Sequence, residues 1–98
     1  MKVNVKSVRF KADQKLEDFI EKKLQKFFGF HEQILDADVV LKLDNNETRE
    51  NKIAEIRLAL KGEELFAKKQ SKAFEESVDQ AINALKKQID KYKEKFKK

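Results

Sequence analysis

The apolar residues of this chain change their spacing three times, and that succession limits the fold more than any single motif. Over residues 1–10, Val3 and Val5 alternate with Lys2, Asn4 and Lys6. A two-residue period is that of a half-buried strand, whose side chains point to alternate faces. Val8 and Phe10 fall on the opposite parity, so a bulge or a strand end is expected near Ser7. Over residues 13–28 the period lengthens. Leu16, Phe19, Ile20, Leu24, Phe27 and Phe28 recur three and four residues apart and form one stripe of an amphipathic helix. Asp13 is expected to cap that helix, with Glu17 near its positive first turn. Gly29 is expected to end it.

Residues 30–36 read as a connector, and the two-residue period then returns. It marks strands over 37–44 (Val39, Leu41, Leu43), 52–61 (Ala54, Ile56, Leu58, Leu60) and 65–70 (Leu65, Ala67). A polar loop over 44–51 separates the first two, and Lys61-Gly62-Glu63-Glu64 joins the last two tightly, with Gly62 able to supply a positive φ. Such short connections imply antiparallel neighbours. Residues 72–97 read as a final helix capped by Ser71, with Phe74, Val78, Ala81, Ile82, Leu85, Ile89, Tyr92 and Phe96 on one stripe. At ~1.5 Å per residue it would run about 40 Å and overhang a sheet whose strands lie ~4.8 Å apart. The expected fold is α+β, in the order β-α-β-β-β-α: a four-stranded, mostly antiparallel sheet with two helices packed on one face. That is the arrangement of a double-stranded-RNA-binding domain with a strand added in front.

Several function classes are excluded by what is missing. There is no Cys, one His, no Pro and two Gly in 98 residues. Disulfides, thiol chemistry, clustered metal ligands and a Gly-rich phosphate loop are therefore not expected. No apolar run approaches the ~20 residues needed to span a membrane. The expectation is one soluble cytoplasmic domain over 1–98, a monomer when free, with no catalytic residues, cofactor, metal, membrane partner or small-molecule substrate. His31 follows the expected helix stop and reads as a surface or capping residue. Glu63 and Glu64, or Glu75 and Glu76, are adjacent in sequence and do not read as an acid–base pair. Phe27, Phe28 and Phe30 read as core and core edge, with room for one exposed contact.

Charge is the remaining signal. Residues 84–98 hold seven lysines against Asp90 and Glu94, a net +5, which equals the net charge of the whole chain. The other 83 residues are therefore neutral in sum. Excess positive charge gathered on one helix points to a polyanion. Lys15, Lys22, Lys23 and Lys26 on the first helix, with Lys86, Lys87, Lys91 and Lys95 on the last, are the candidate RNA-binding residues. Lysines from two neighbouring helices can track a phosphate backbone, and they read shape rather than base identity. Residue chemistry alone leaves a second reading open, in which lysines interleaved with Glu simply keep two helices soluble.

Four stretches carry a family resemblance: MKVNVKSVRFKADQKLEDFIEKKLQKF, DADVVLKLD, EIRLALKGEELFAK and FEESVDQAINALKKQIDKYKEKFKK. The last contains a D-x-x-I-x-x-L-x-[RK]-Q-[LI]-x-K-x-K pattern at Asp79, Ile82, Leu85, Lys87, Gln88, Ile89, Lys91 and Lys93. In order and spacing the chain resembles the bacterial and plastid family of ribosome hibernation promoting factors and ribosome-associated translation inhibitors, in its short form. The resemblance implies a partner, the small ribosomal subunit and its 16S rRNA. It also implies a mechanism: occupying the channel of messenger RNA and tRNA, without catalysis, in stationary phase or starvation. It implies the absence of the second domain with which long forms pair ribosomes. The alternative is a general double-stranded RNA-binding module. Ala73, Phe74 and Glu75 depart from the family's Asp-Met-Tyr-like helix start, and Lys87 stands where Arg is usual. Lys keeps the charge there and loses the bidentate phosphate geometry.

Overall fold

A computed structural model describes residues 2–44 and 49–94. Its elements are β1 (Lys2–Val8), α1 (Gln14–Phe30), β2 (Ile34–Leu43), β3 (Lys52–Leu60), β4 (Glu63–Ser71) and α2 (Phe74–Glu94). They form one four-stranded sheet in the order β1-β2-β3-β4. β1 and β2 are parallel, and β2, β3 and β4 are antiparallel. A parallel pair needs a long crossover, which α1 supplies. The expected α+β order is the one found.

The alternation in the strands decides which face is buried. Ala37, Val39 and Leu41 on β2, Ala54, Ile56 and Leu58 on β3, and Leu65 and Ala67 on β4 turn inward. They meet Ile20, Leu24 and Phe27 of α1 and Val78, Ala81, Leu85 and Ile89 of α2 in one core. α2 lies over β3 and β4, and α1 packs beside α2 towards β1. Tyr92 belongs to this core, its hydroxyl donating to the Lys61 carbonyl at 3.3 Å. Phe10 stacks on Phe74 with centroids 4.8 Å apart, tying the chain before α1 to the start of α2. Among the described residues no helix is long and apolar enough to cross a membrane.

Both ends of α1 are instructive. Asp13 is the N-cap, as expected, and its carboxylate accepts from the Leu16 N–H at 2.8 Å. Gly29 does not stop the helix; His31 does, with φ −139° and its N–H donating to the Phe28 carbonyl at 3.0 Å. The His31 ring meets Phe27 edge-on at 4.7 Å, so an aromatic contact holds the last turn that a glycine stop would have removed. β1 ends at Val8, and Arg9 takes φ +71°, in line with the parity break near Ser7. Gly62 has the positive φ anticipated for the β3–β4 turn, +79°.

β2 begins three residues earlier than the period predicts. Ile34 pairs with Leu60 and Asp36 with Ala59, so Leu35 is skipped as a bulge. The bulge returns Ile34 to the inner face with Ala37 and Val39 and leaves Leu35 58% exposed. α2 begins at Phe74, and Ser71 is the last residue of β4 rather than an N-cap. The Ser71 hydroxyl accepts from the Ala73 N–H at 3.3 Å and lies 2.7 Å from the Ser77 hydroxyl. Ser77 in turn donates to the Lys52 carbonyl at 2.7 Å. Both serines are buried, so this chain of hydroxyls joins β3, β4 and α2 through groups that must be satisfied. Lys95, Phe96, Lys97 and Lys98 lie outside the described residues, and with them most of the expected overhang.

Candidate nucleic-acid interface

The two sides of the molecule use charge differently. On the open face of the sheet, the charges of β2, β3 and β4 form pairs. Arg57 donates to Asp38, and the Asn4 amide donates to the same carboxylate at 3.0 Å. Glu55 receives Lys42 at 3.1 Å and Lys68 at 4.0 Å. The hydrogen bond from Arg57, followed by that from Asn4, holds the Asp38 carboxyl below its ordinary value. These pairs leave Arg57, Lys42 and Lys68 less available to a polyanion.

On the helical side, α1 and α2 leave a groove of about 500 Å³ between them. Lys23, Lys26, Phe27 and Phe30 line it from α1, His31 from the cap, and Ile82, Asn83 and Lys86 from α2. The stripe spacing explains the convergence. Lys23 and Lys26 sit three residues apart beside the buried face of α1, and Lys86 follows Ile82 by four on α2, one turn along the same flank. Lys23 spans the groove to Asp79 at 3.2 Å and lies 5.6 Å above the Phe19 ring. Lys26 and Lys86 are exposed, and neither has a carboxylate within 4 Å among the described residues.

His31 registers the resulting field. Its ring is buried, and Nδ1 has no hydrogen-bond partner among the described residues. Burial is the largest cause of a pKa lowered from the ordinary 6.5; Lys93 and Lys86 lower it further, and Asp90 opposes them. The unfolded chain therefore takes up this proton more readily than the folded chain. The stability that depends on neutral His31 is complete above about pH 6.5 and is lost as pH falls below it towards the folded value. His31→Gln is accordingly expected to lose less thermal stability than the parent between pH 7.5 and 5.5, measured by circular dichroism melts. An equal decline in both proteins would contradict this.

The eight lysines singled out from the sequence separate into groups. Lys23, Lys26 and Lys86 come together in the groove. Lys22 lies on another flank of α1, in a depression shared with Asp18, Glu21 and Gln25. Lys15 is exposed near the start of α1, seven residues before Lys22 on the same side. Lys87 lines a depression on the β4 side of α2 with Lys69, Gln80, Asn83 and Ala84. Lys91 is exposed one turn beyond it, and Lys95 lies outside the described residues. Three residues of interest were absent from that group of eight: Lys93, close enough to act on His31; Lys69; and Phe30, which is 71% exposed at the groove's edge.

A family model described as sigma 54 modulation protein / S30EA ribosomal protein matches residues 3–97. Among curated proteins no sequence matches this chain. Solved structures similar to it include a ribosomal subunit interface protein from Coxiella burnetii, with a TM-score of 0.83 and 22% identity over 95% of this chain and 98% of that one. The N-terminal domain of Protein Y from Thermus thermophilus has a TM-score of 0.78 and 22% identity over 94% of this chain and 99% of that one. At such identity the structural likeness speaks for the fold.

Proposed function

Because the chain belongs to the sigma 54 modulation protein / S30EA ribosomal protein family, we propose that it is a cytoplasmic ribosome hibernation factor. It binds the small ribosomal subunit in the channel of messenger RNA and tRNA, and it inhibits translation in stationary phase or starvation. The observation that carries this reading is the groove between α1 and α2, where Lys26 and Lys86 are exposed and have no carboxylate within 4 Å among the described residues. Lysines held at fixed positions on two packed helices can neutralise phosphates on a folded RNA, and each phosphate engaged releases condensed counterions. The action is steric: a rigid domain occupies a site that the template and tRNA require. The paired charges on the open sheet face favour the helical side as the RNA-facing one.

Adding the protein to a cell-free translation system is expected to stop initiation on a reporter message. Excess messenger RNA or initiation factors should restore it. Inhibition that is relieved only by excess free duplex RNA would favour a general double-stranded RNA-binding module instead.

A further inference from the structure

We propose that the groove between α1 and α2 holds a single unpaired nucleotide, with its base on Phe30 and its phosphate between Lys26 and Lys86. The inference rests on the RNA reading above and adds a specific ligand class to it. Phe30 is 71% exposed, in the last turn of a helix whose neighbours Phe27 and Phe28 are buried. An aromatic ring left in water beside an apolar cleft has a face free for stacking. Phe27, Ile82 and the buried His31 form the apolar side of that cleft. Burial and the nearby lysines keep His31 neutral near pH 7, so it adds an uncharged aromatic wall. Lys23, Lys26 and Lys86 form its rim. A volume of about 500 Å³ lies within the range of small-ligand clefts.

One ligand class satisfies all of these features. A nucleotide carries a flat apolar ring and an anion on one short scaffold. Duplex RNA buries its bases and meets only the lysines, whereas a splayed-out base uses the ring as well. An acidic peptide would satisfy the lysines and leave Phe30 without a stacking partner.

The test compares two short single strands of equal phosphate number, oligoadenylate and its abasic counterpart, titrated at low salt into the full chain. The parent protein is expected to bind oligoadenylate roughly ten-fold more tightly. Phe30→Ala is expected to erase that preference while leaving abasic binding and its salt dependence unchanged, and Phe30→Tyr to restore it. Phe30 lies outside the core, so a melt of Phe30→Ala should match the parent. Equal binding of the two strands by the parent, an unchanged preference in Phe30→Ala, or equally tight binding of polyglutamate would overturn the nucleotide site. Ribosome co-sedimentation of the same proteins separates the two claims. A parent that fails to sediment with ribosomes overturns the general function; a parent that sediments but shows no base preference overturns only this site.

Discussion

The double variant Lys26→Glu/Lys86→Glu is expected to lose co-sedimentation with small ribosomal subunits while remaining folded. Both side chains line the interhelical groove and have no carboxylate within 4 Å among the described residues. Removing them breaks no internal ion pair, so stability should change by no more than about 0.5 kcal/mol per site. Binding should change far more. Two phosphate contacts are lost, two repulsions are added, and the slope of log affinity against log salt should fall by about 2. A loss of at least about a hundred-fold at low salt is expected. Lys42→Glu/Lys68→Glu makes the same change in net charge on the open sheet face, where both lysines attend Glu55. That control should bind ribosomes nearly as well as the parent. Equal loss in both variants would mean that overall charge, rather than the groove, drives association.

Leu85→Ala is expected to be the most destabilising of the changes considered. Leu85 is fully buried in the middle of α2, between the helix and the sheet, and its neighbour Lys86 lines the groove. Truncating a buried Leu removes its transfer free energy and leaves a cavity, at a cost of about 2–5 kcal/mol. In a domain of this size the melting temperature should fall by roughly 10–20 °C. Below its melting temperature the variant should still bind ribosomes, because the lysines and the helix that carries them remain in place. A small shift in melting temperature would contradict the packing described for α2; lost binding by a folded variant would show that the groove depends on that packing to high precision.

Much of this architecture was legible in the apolar spacing. Alternation at Ala54, Ile56, Leu58 and Leu60 marked the inner face of β3 without ambiguity, and those four residues are buried. Asp13 announced the start of α1 because an N-cap is a local interaction between neighbours in sequence. The misreadings all involve a contact that overrode a local preference. Leu35 breaks the parity of β2, so its bulge concealed the true start of the strand. Gly29 carries no conformational demand of its own, and the packing of His31 against Phe27, one turn back, holds the helix beyond it. Ser71 looked like a cap because its role in joining β4 to Ser77 is tertiary.

The candidate site was legible in kind more than in membership. Composition located the charge, and helical spacing placed Lys26 and Lys86 on usable flanks. Spacing within one helix cannot say which flank faces the other helix, so Lys22 and Lys87 were grouped with residues from which the packing separates them. Phe30 was obscured by the same error that ended α1 at Gly29. Once the helix runs on to Phe30, its position seven residues beyond Lys23 places it on the groove side.

Sucrose-gradient sedimentation tests whether this domain recognises the small ribosomal subunit through its helical face. The unmodified protein is mixed with separated small and large subunits at low and high salt, with and without excess duplex RNA. The expected result is migration with the small subunit at low salt, release at high salt, and resistance to the duplex competitor. Equal migration with both subunits, or complete displacement by duplex RNA at low salt, would contradict it.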